Sequence, residues 1–532
     1  EAEEARRQEK IARDEKIRAD DKAAEALRQE EIAREEKIRA DDKAEEARRQ
    51  EKIAREEKKR ADEKAAEAVS RRLVAEAKAL AVRTLTMQGD SEREVATLLA
   101  LHAYRLHQEH REGEEDPDIH KALQQASQYY DLDPTELRKT DPDTHGHEDT
   151  IRVLAVVPNR PDPGDPPPRR LLASGSDDGA VYLTDLATDF PPTPQPLGSG
   201  DSGPRSSIRA LAFDPLGEHL VAGGFDGSIR MWDLPARLEG AAELTKPTLL
   251  QEADSPWIVE SLVFRPGAGK LAVARSSKPR AGKRAEASLE IRTLKAKGER
   301  HAVEDSWPLR SLAFNADGSL LAAAGGKAGA LVWTVDDPEE PRTDLVLTAR
   351  PLLPECKCDL RSVAFRGEGS QLAGGSVDGR LFLWTLGDDT LRAGPPPAGP
   401  PPGFSAHAAR IQSLAFQPQQ DQVLASASFD GTVRLWNVDN LQALPVVLEP
   451  RRSSDNGWVW AVVYEPGGEW LISGGGDRTL RLWTTSSREL VGPLCASLPA
   501  GRRDLTADER SKYLSWLSDD DQDEKPCLEG EG

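Results

Sequence analysis

The sequence predicts an all-β seven-bladed propeller with an N-terminal all-α part, a long charged helix followed by a short helical neck. Two observations carry this. A strand-turn-strand pattern repeats seven times between residues 141 and 495, and a charged 21-residue repeat precedes it. Shifts in composition divide the chain into a charged helix (1–69), a neck (70–140), the propeller (141–495) and an acidic tail (496–532).

In the first segment Ile11-Ala-Arg, Ile32-Ala-Arg and Ile53-Ala-Arg recur every 21 residues, or three heptads, which is a helical period. One heptad position is alanine without a break from Ala5 to Ala75. Glu, Lys, Arg and Ala favour helix, and opposite charges four apart, such as Glu9 with Arg13 and Glu51 with Arg55, support it. A strong coiled coil wants large apolar residues along both seams, whereas the second seam here cycles through Ala23, Glu30 and Lys37. Two readings stay open: a solvated single-helix spacer, or weak helical self-association along the isoleucine-flanked alanine seam.

Apolar residues return in the neck with Leu73, Val74, Leu80, Val82 and Leu85. Gly89-Asp90-Ser91 breaks the pattern, with Ser91 as N-cap and Glu94 at the capping-box position. A second helix then carries Val95, Leu98, Leu99, Leu101, Tyr104 and Leu106, and a third carries Ile119, Leu123 and Ala126. His102, His107, His110 and His120 have mixed spacing and polar neighbours, so they read as exposed side chains. Cys356, Cys358, Cys495 and Cys527 are too few for a disulfide framework, and Cys356-Lys-Cys358 lacks the second ligand pair of a zinc site. They read as free thiols in a reducing, cytoplasmic setting. No metal and no cofactor is expected.

The propeller repeats have apolar strands beginning at Ile151, Ile208, Val259, Leu309, Leu360, Ile411 and Val459. A small-residue strand, an Asp-containing turn (Asp178, Asp226, Asp378, Asp430, Asp477) and a strand ending near Trp232, Trp333, Trp384, Trp436 or Trp483 follow. Over about two-thirds of the chain this pattern resembles the WD40 family. The resemblance implies four-stranded blades, each fixed by a hydrogen-bond chain of Asp, His, a hydroxyl and Trp. It also implies ring closure by one terminal strand, near 137–140 or near 489–494. Thr184 and Arg292 stand where Trp is expected, and the fourth copy lacks the Asp, so blades one, three and four are the irregular ones. Gly146-His147 is the clearest Gly-His start.

In such propellers the residue after the first apolar position emerges at the top entrance. Here that row is Arg152, Arg209, Glu260, Arg310, Arg361, Gln412 and Trp460. A second row, before the turn aspartate, is Asp177, Phe225, Val377, Phe429 and Gly476. Arginines beside Phe225, Phe429, Trp458 and Trp460 read as a surface for a protein or peptide partner of acidic character. The competing reading is that the arginines pair with carboxylates on the blade edges. The basic loop 278–284 reads as a solvated hairpin tip, and the proline-rich stretches 158–168 and 395–402 as loop extensions.

A formal charge of −21 argues against nucleic-acid binding, which needs a basic face. No apolar run approaches the roughly 20 residues of a membrane helix. No phosphate loop, nucleophile elbow or zinc-protease motif occurs, so no enzyme is expected. The neck residues 79–85, 98–104 and 116–118, and the tail from Arg503 through Tyr513 to Cys527, resemble the C-terminal half of large bacterial signalling proteins. Those proteins carry STAND-ATPase, protease or TIR domains upstream. The expected function is thus a non-catalytic interaction or sensor module whose arm leads to an upstream effector. The alternative is a structural spacer or oligomeric stalk.

Overall fold

The computed structural model of the protein describes residues 2–87, 92–110, 116–130, 135–137, 146–158, 169–187, 194–198, 206–235, 247–253, 256–278 except 268, 286–294, 300–302, 308–325, 329–335, 347–351, 359–386 except 368 and 370, 404–442 except 419, 445–449, 457–499, 502–517 except 516, and 525–527. The chain divides into two compact units, 1–77 with 106–112, and 78–105 with 113–532.

Helix α1 (Ala2–Thr84) supplies most of the first unit. No glycine or proline interrupts it, and at 1.5 Å per residue it runs about 125 Å. Pairs four apart line its surface, including Glu51 with Arg55 at 2.7 Å and Lys59 with Glu63 at 3.7 Å. Each contributes a few tenths of a kcal/mol. Ile11, Ile17, Ile32, Ile38 and Ile53 remain 42–60% exposed, so the thin apolar row is uncovered. In the same unit Ser70 Oγ donates to the His110 carbonyl at 3.5 Å.

Helix α2 (Arg93–His110) starts in the second unit, its residues from Leu106 on belonging to the first, and α3 (Pro117–Tyr129) lies in the second. The Asp116 carboxylate caps α3, accepting from Asp118 N and Ile119 N at 3.1 and 3.2 Å. The proposed Ser91 cap lies outside the described residues. His102, His107 and His120 correct the sequence reading: all three are buried. Residues 95–104 of α2 are buried on every side, as in a core helix, and the histidines are carried inside with their apolar neighbours.

The propeller has seven antiparallel four-stranded sheets. Their inner strands are Ile151–Val156, Ile208–Phe213, Trp257–Phe264, Ser311–Phe314, Leu360–Arg366, Ile411–Phe416 and Val459–Tyr464, defining blades one to seven. The strand Thr135–Leu137 closes the ring, pairing Leu137 with Leu480 and Thr135 with Leu482 on the outer side of blade seven. Residues 489–494, the other candidate for closure, lie in helix α4 (Ser487–Ser497).

Glycine in the second strand sets how closely blades approach. A β-carbon on Gly175 would lie 2.6 Å from Ile208 Cγ2, one on Gly375 2.5 Å from Ile411 Cγ2, and one on Gly474 2.7 Å from Ile151 Cγ2. Gly223 meets Val259 in the same way. In each case the first apolar residue of one inner strand fills the space left by the preceding blade's glycine.

The expected hydrogen-bond chain is complete in blade six. His407 bonds the Asp430 carboxylate at 2.9 Å and Ser426 Oγ at 2.7 Å, and Trp436 Nε1 donates to Ser426 Oγ at 2.9 Å. Blade one keeps His147, Asp178 and Ser174 but has Thr184 in place of the tryptophan. Blade five shows no such chain among the described residues: Gly374 replaces the serine, and the Trp384 indole N–H has no partner among them. Blade three substitutes a buried ionic cluster in which Arg275, fully enclosed, bonds Glu290 and reaches Gln251 Oε1, on the outer strand of blade two, at 2.6 Å.

The C-terminal segment folds back as α4 and α5 (Ala507–Tyr513), the latter opened by a Thr506/Glu509 capping box. Arg502 clamps Glu509 through two 3.1 Å bonds and reaches Glu94 at 3.1 Å, while Ser487 Oγ bonds His120 Nδ1 at 3.2 Å. Cys495 and Cys527 form a disulfide, which corrects the reading of both as free thiols. Their spacing of 32 residues gave no framework to recognise; the folding back of the tail brings them together. This pairing removes the ground for expecting a reducing compartment. Cys356 and Cys358, the basic loop beyond Lys278, and most of both proline-rich stretches lie outside the described residues.

Two stability predictions follow from the packing. Gly175→Val should cost about 1–3 kcal/mol by overpacking against Ile208, and adding Ile208→Ala should recover part of it in urea unfolding. Asp430→Ala should cost about 2–3 kcal/mol by breaking a partly buried charge-assisted network, against less than about 1 kcal/mol for the exposed Asp378→Ala. Burial pushes the Asp430 carboxyl up, but hydrogen bonds from His407 and Thr432 outweigh it and hold it well below the usual carboxylate range. Its stabilisation is therefore complete above about pH 4 and lost as pH falls through the lower folded value. Acid unfolding of wild type beside Asp430→Ala checks this: the difference between them should shrink on acidification.

Candidate partner-binding mouth of the propeller

The pairing of first and second strands skips one residue in six blades, between Ile151 and Val153, Ile208 and Ala210, Val259 and Ser261, Leu360 and Ser362, Ile411 and Ser413, and Val459 and Ala461. The unpaired residues are Arg152, Arg209, Glu260, Arg361, Gln412 and Trp460. A bulge of this kind frees a side chain from the pleat and re-aims it. In blade four Arg310 sits just ahead of the inner strand, its N–H bonded to the Ala324 carbonyl at 2.8 Å. All seven line one central cavity of about 560 Å3.

The arginines are not equivalent. Arg152 is bound to the Asp177 carboxylate and lies 3.7 Å over the Trp460 ring. Arg310 bonds Glu260 at 2.5 Å. Arg361 comes only within 3.9 Å of Asp359. Arg209 rests on the Phe225 ring at 5.1 Å, with no carboxylate bonded to it among the described residues. Burial, then the charge of Arg152, lowers the Arg209 pKa; burial, then the charge of Arg310, lowers that of Arg361. The two readings of the row therefore each hold for part of it: Arg152 and Arg310 are paired, Arg209 and Arg361 far less so.

Arg410 was missed by sequence reasoning. It precedes the sixth inner strand, lines the same cavity, and lies 4.9 Å over the Phe429 ring. Its position two residues before Gln412 was the available signal, since residues two apart share a face of an extended strand. Of the second row, Phe225 is 38% exposed at the rim. Phe429 stacks on Trp458 at 4.9 Å and meets Trp460 edge-on at 4.6 Å, so these aromatics form one cluster rather than separate anchors. Nε of Arg209, Arg361 and Arg410, Trp460 Nε1 and Gln412 Oε1 are buried with no hydrogen-bond partner among the described residues.

The WD domain, G-beta repeat family matches residues 195–233, 401–437 and 449–484. These three stretches of the propeller are WD40 repeats. The fungal nuclear distribution protein nudF of Emericella nidulans is 35% identical over 86 residues, covering 16% of this chain and 18% of that protein. The GATOR2 complex protein Wdr59 of Drosophila melanogaster is 25% identical over 198 residues, 36% of this chain and 18% of that one. Actin-interacting protein 1 of the same fly is 30% identical over 125 residues, 23% and 19% respectively. The chain thus spans less than a fifth of each of these eukaryotic relatives. A WD40 propeller fits a protein-interaction or scaffold role. No described helix is long and apolar enough to cross a membrane.

Asp214, Glu218 and His219 place ligand atoms within 4.8 Å of one another at the turn of blade two. Their geometry is a turn closure, since Asp214 accepts from Glu218 N at 2.8 Å, His219 N at 3.0 Å and His219 Nδ1 at 2.9 Å.

The two kinds of arginine predict different costs of removal. Arg152→Met should destabilise by about 1–3 kcal/mol, losing a charge-assisted bond and its ring contact. Arg361→Met should stay within about 0.5 kcal/mol of wild type. Chemical denaturation of the two variants side by side measures the difference.

Proposed function

We propose that the mouth of the propeller captures an acidic segment of a protein or peptide partner, and that the helical arm links this event to an upstream effector. The observation that carries the reading is that Arg209, Arg361 and Arg410 line one cavity, each with a buried Nε that has no hydrogen-bond partner among the described residues. Buried donors in a folded protein are normally satisfied, and a carboxylate supplies acceptors of matching charge. The rim aromatics Phe225 and Trp458 offer apolar surface beside the charge, the combination found at interaction hot spots. The site residues proposed are Arg152, Arg209, Arg310, Arg361, Gln412, Trp460, Phe225 and Phe429, with Arg410 added. The link to an effector rests on the resemblance of neck and tail to bacterial signalling proteins. Neither metal, cofactor nor nucleic acid enters this reading.

The exposed isoleucines of α1 support the second reading, an oligomeric stalk built by weak self-association. Light scattering after size exclusion separates the two, because a monomer at micromolar concentration leaves no stalk. For the mouth, combined Arg209→Glu, Arg310→Glu and Arg361→Glu should abolish capture of a glutamate-rich peptide at low ionic strength, with the fold checked by circular dichroism. Undiminished capture by the triple variant would retire the proposal.

A further inference from the structure

Charge at the mouth selects among acidic ligands. Of its arginines, Arg152 and Arg310 are balanced by Asp177 and Glu260, and Arg361 is loosely opposed by Asp359. Arg209 and Arg410 have no opposing carboxylate bonded to them among the described residues and lie on the rings of Phe225 and Phe429. The described mouth therefore carries an excess of about two positive charges, with three unpartnered Nε–H donors in one cavity. A carboxylate brings one negative charge, which leaves about one positive charge over. A phosphoryl monoester brings about −1.5 to −2 charge at neutral pH and three strong acceptor oxygens.

Resting on the acidic-partner reading above, we infer that the ligand group seated in the mouth is a phosphoryl monoester carried on a partner's polypeptide segment. The neighbouring atoms suit the chain that would carry it. Among the described residues Gln412 Oε1 is a buried acceptor without a partner and Trp460 Nε1 a buried donor without one, the complement of a peptide N–H and C=O. Phe225 and Trp458, 38% and 43% exposed, give rim surfaces for flanking side chains. A phosphodiester, as in a nucleic acid, carries one charge per phosphate and fits the excess less well, and the −21 charge of the chain opposes a polyanion.

The test is isothermal titration of the full chain with N-acetyl-O-phosphoserine amide, N-acetyl-glutamate amide and inorganic phosphate. The phosphoserine derivative should bind at least tenfold more tightly than the glutamate derivative, and more tightly than inorganic phosphate. Arg209→Met, Arg361→Met and Arg410→Met should each weaken it about tenfold or more, the effect of one charge-assisted bond. Arg366→Met, on a guanidinium already held by Asp439 and Asp421, should leave its affinity unchanged. Equal affinity for the phosphoserine and glutamate derivatives overturns the phosphoryl assignment while the acidic-partner reading stands. Tighter binding of inorganic phosphate overturns a partner-borne group in favour of a free ion. If no probe binds to a chain that still captures the glutamate-rich peptide, the phosphoryl assignment fails alone. If that capture fails as well, both readings fail.

Discussion

Where Gly175 faces Ile208, and again where Gly223 faces Val259, Gly375 faces Ile411 and Gly474 faces Ile151, two blades come closer than any side chain at the glycine would allow. The rest of the propeller depends on this contact. At the residue after each of these contacts the inner strand bulges, and it does so too after Leu360 and Val459, where the preceding blade's second strand carries alanine and no glycine. At the four glycine contacts the packed isoleucine or valine is followed directly by the freed arginine, glutamate or glutamine. Core packing and the binding surface are therefore neighbours in the chain, while the bulge itself does not require the glycine.

The blades solve their internal bonding in different ways around that common contact. Blade six has the full His407, Asp430, Ser426 and Trp436 chain, while blade three replaces it with the enclosed Arg275, Glu290 and Gln251 cluster. A buried ion pair gives less net stability than its Coulomb attraction suggests, because both charges are desolvated. Blade three therefore gains a specific arrangement at a cost in stability, and blade five, without either device, relies on packing of Phe382 and Trp384.

Much of this was legible in the residues. Seven strand patterns, five of them with an Asp turn, announced the number of blades, and the row from Arg152 to Trp460 was placed by counting one residue past each apolar start. The row was legible because the repeats keep register, so a position in one copy names the same position in all. What escaped were features without a repeat. Arg410 belongs to a strand lead-in, the partner of Cys495 lies 32 residues away in the returning tail, and the burial of His102 and His107 depends on what covers a helix. Pairing of arginines with carboxylates was a real alternative because it depends on ångström distances: Arg310 bonds Glu260 whereas Arg361 stands 3.9 Å from Asp359.

Ring closure by the strand Thr135–Leu137 has a consequence for the order of synthesis. The strand leaves the ribosome ahead of every other strand, yet its partner Leu480–Thr484 is among the last. Some 343 residues separate Leu137 from the Leu480 it pairs with. At ordinary translation rates of about 5–20 residues per second, that is roughly 20 to 70 seconds. Throughout that interval blades one to six can assemble in turn while the closing strand waits with its backbone groups unpaired. The nascent chain therefore passes through an open arc with two free edges, the state in which a neighbouring ribosome's product is its most available wrong partner.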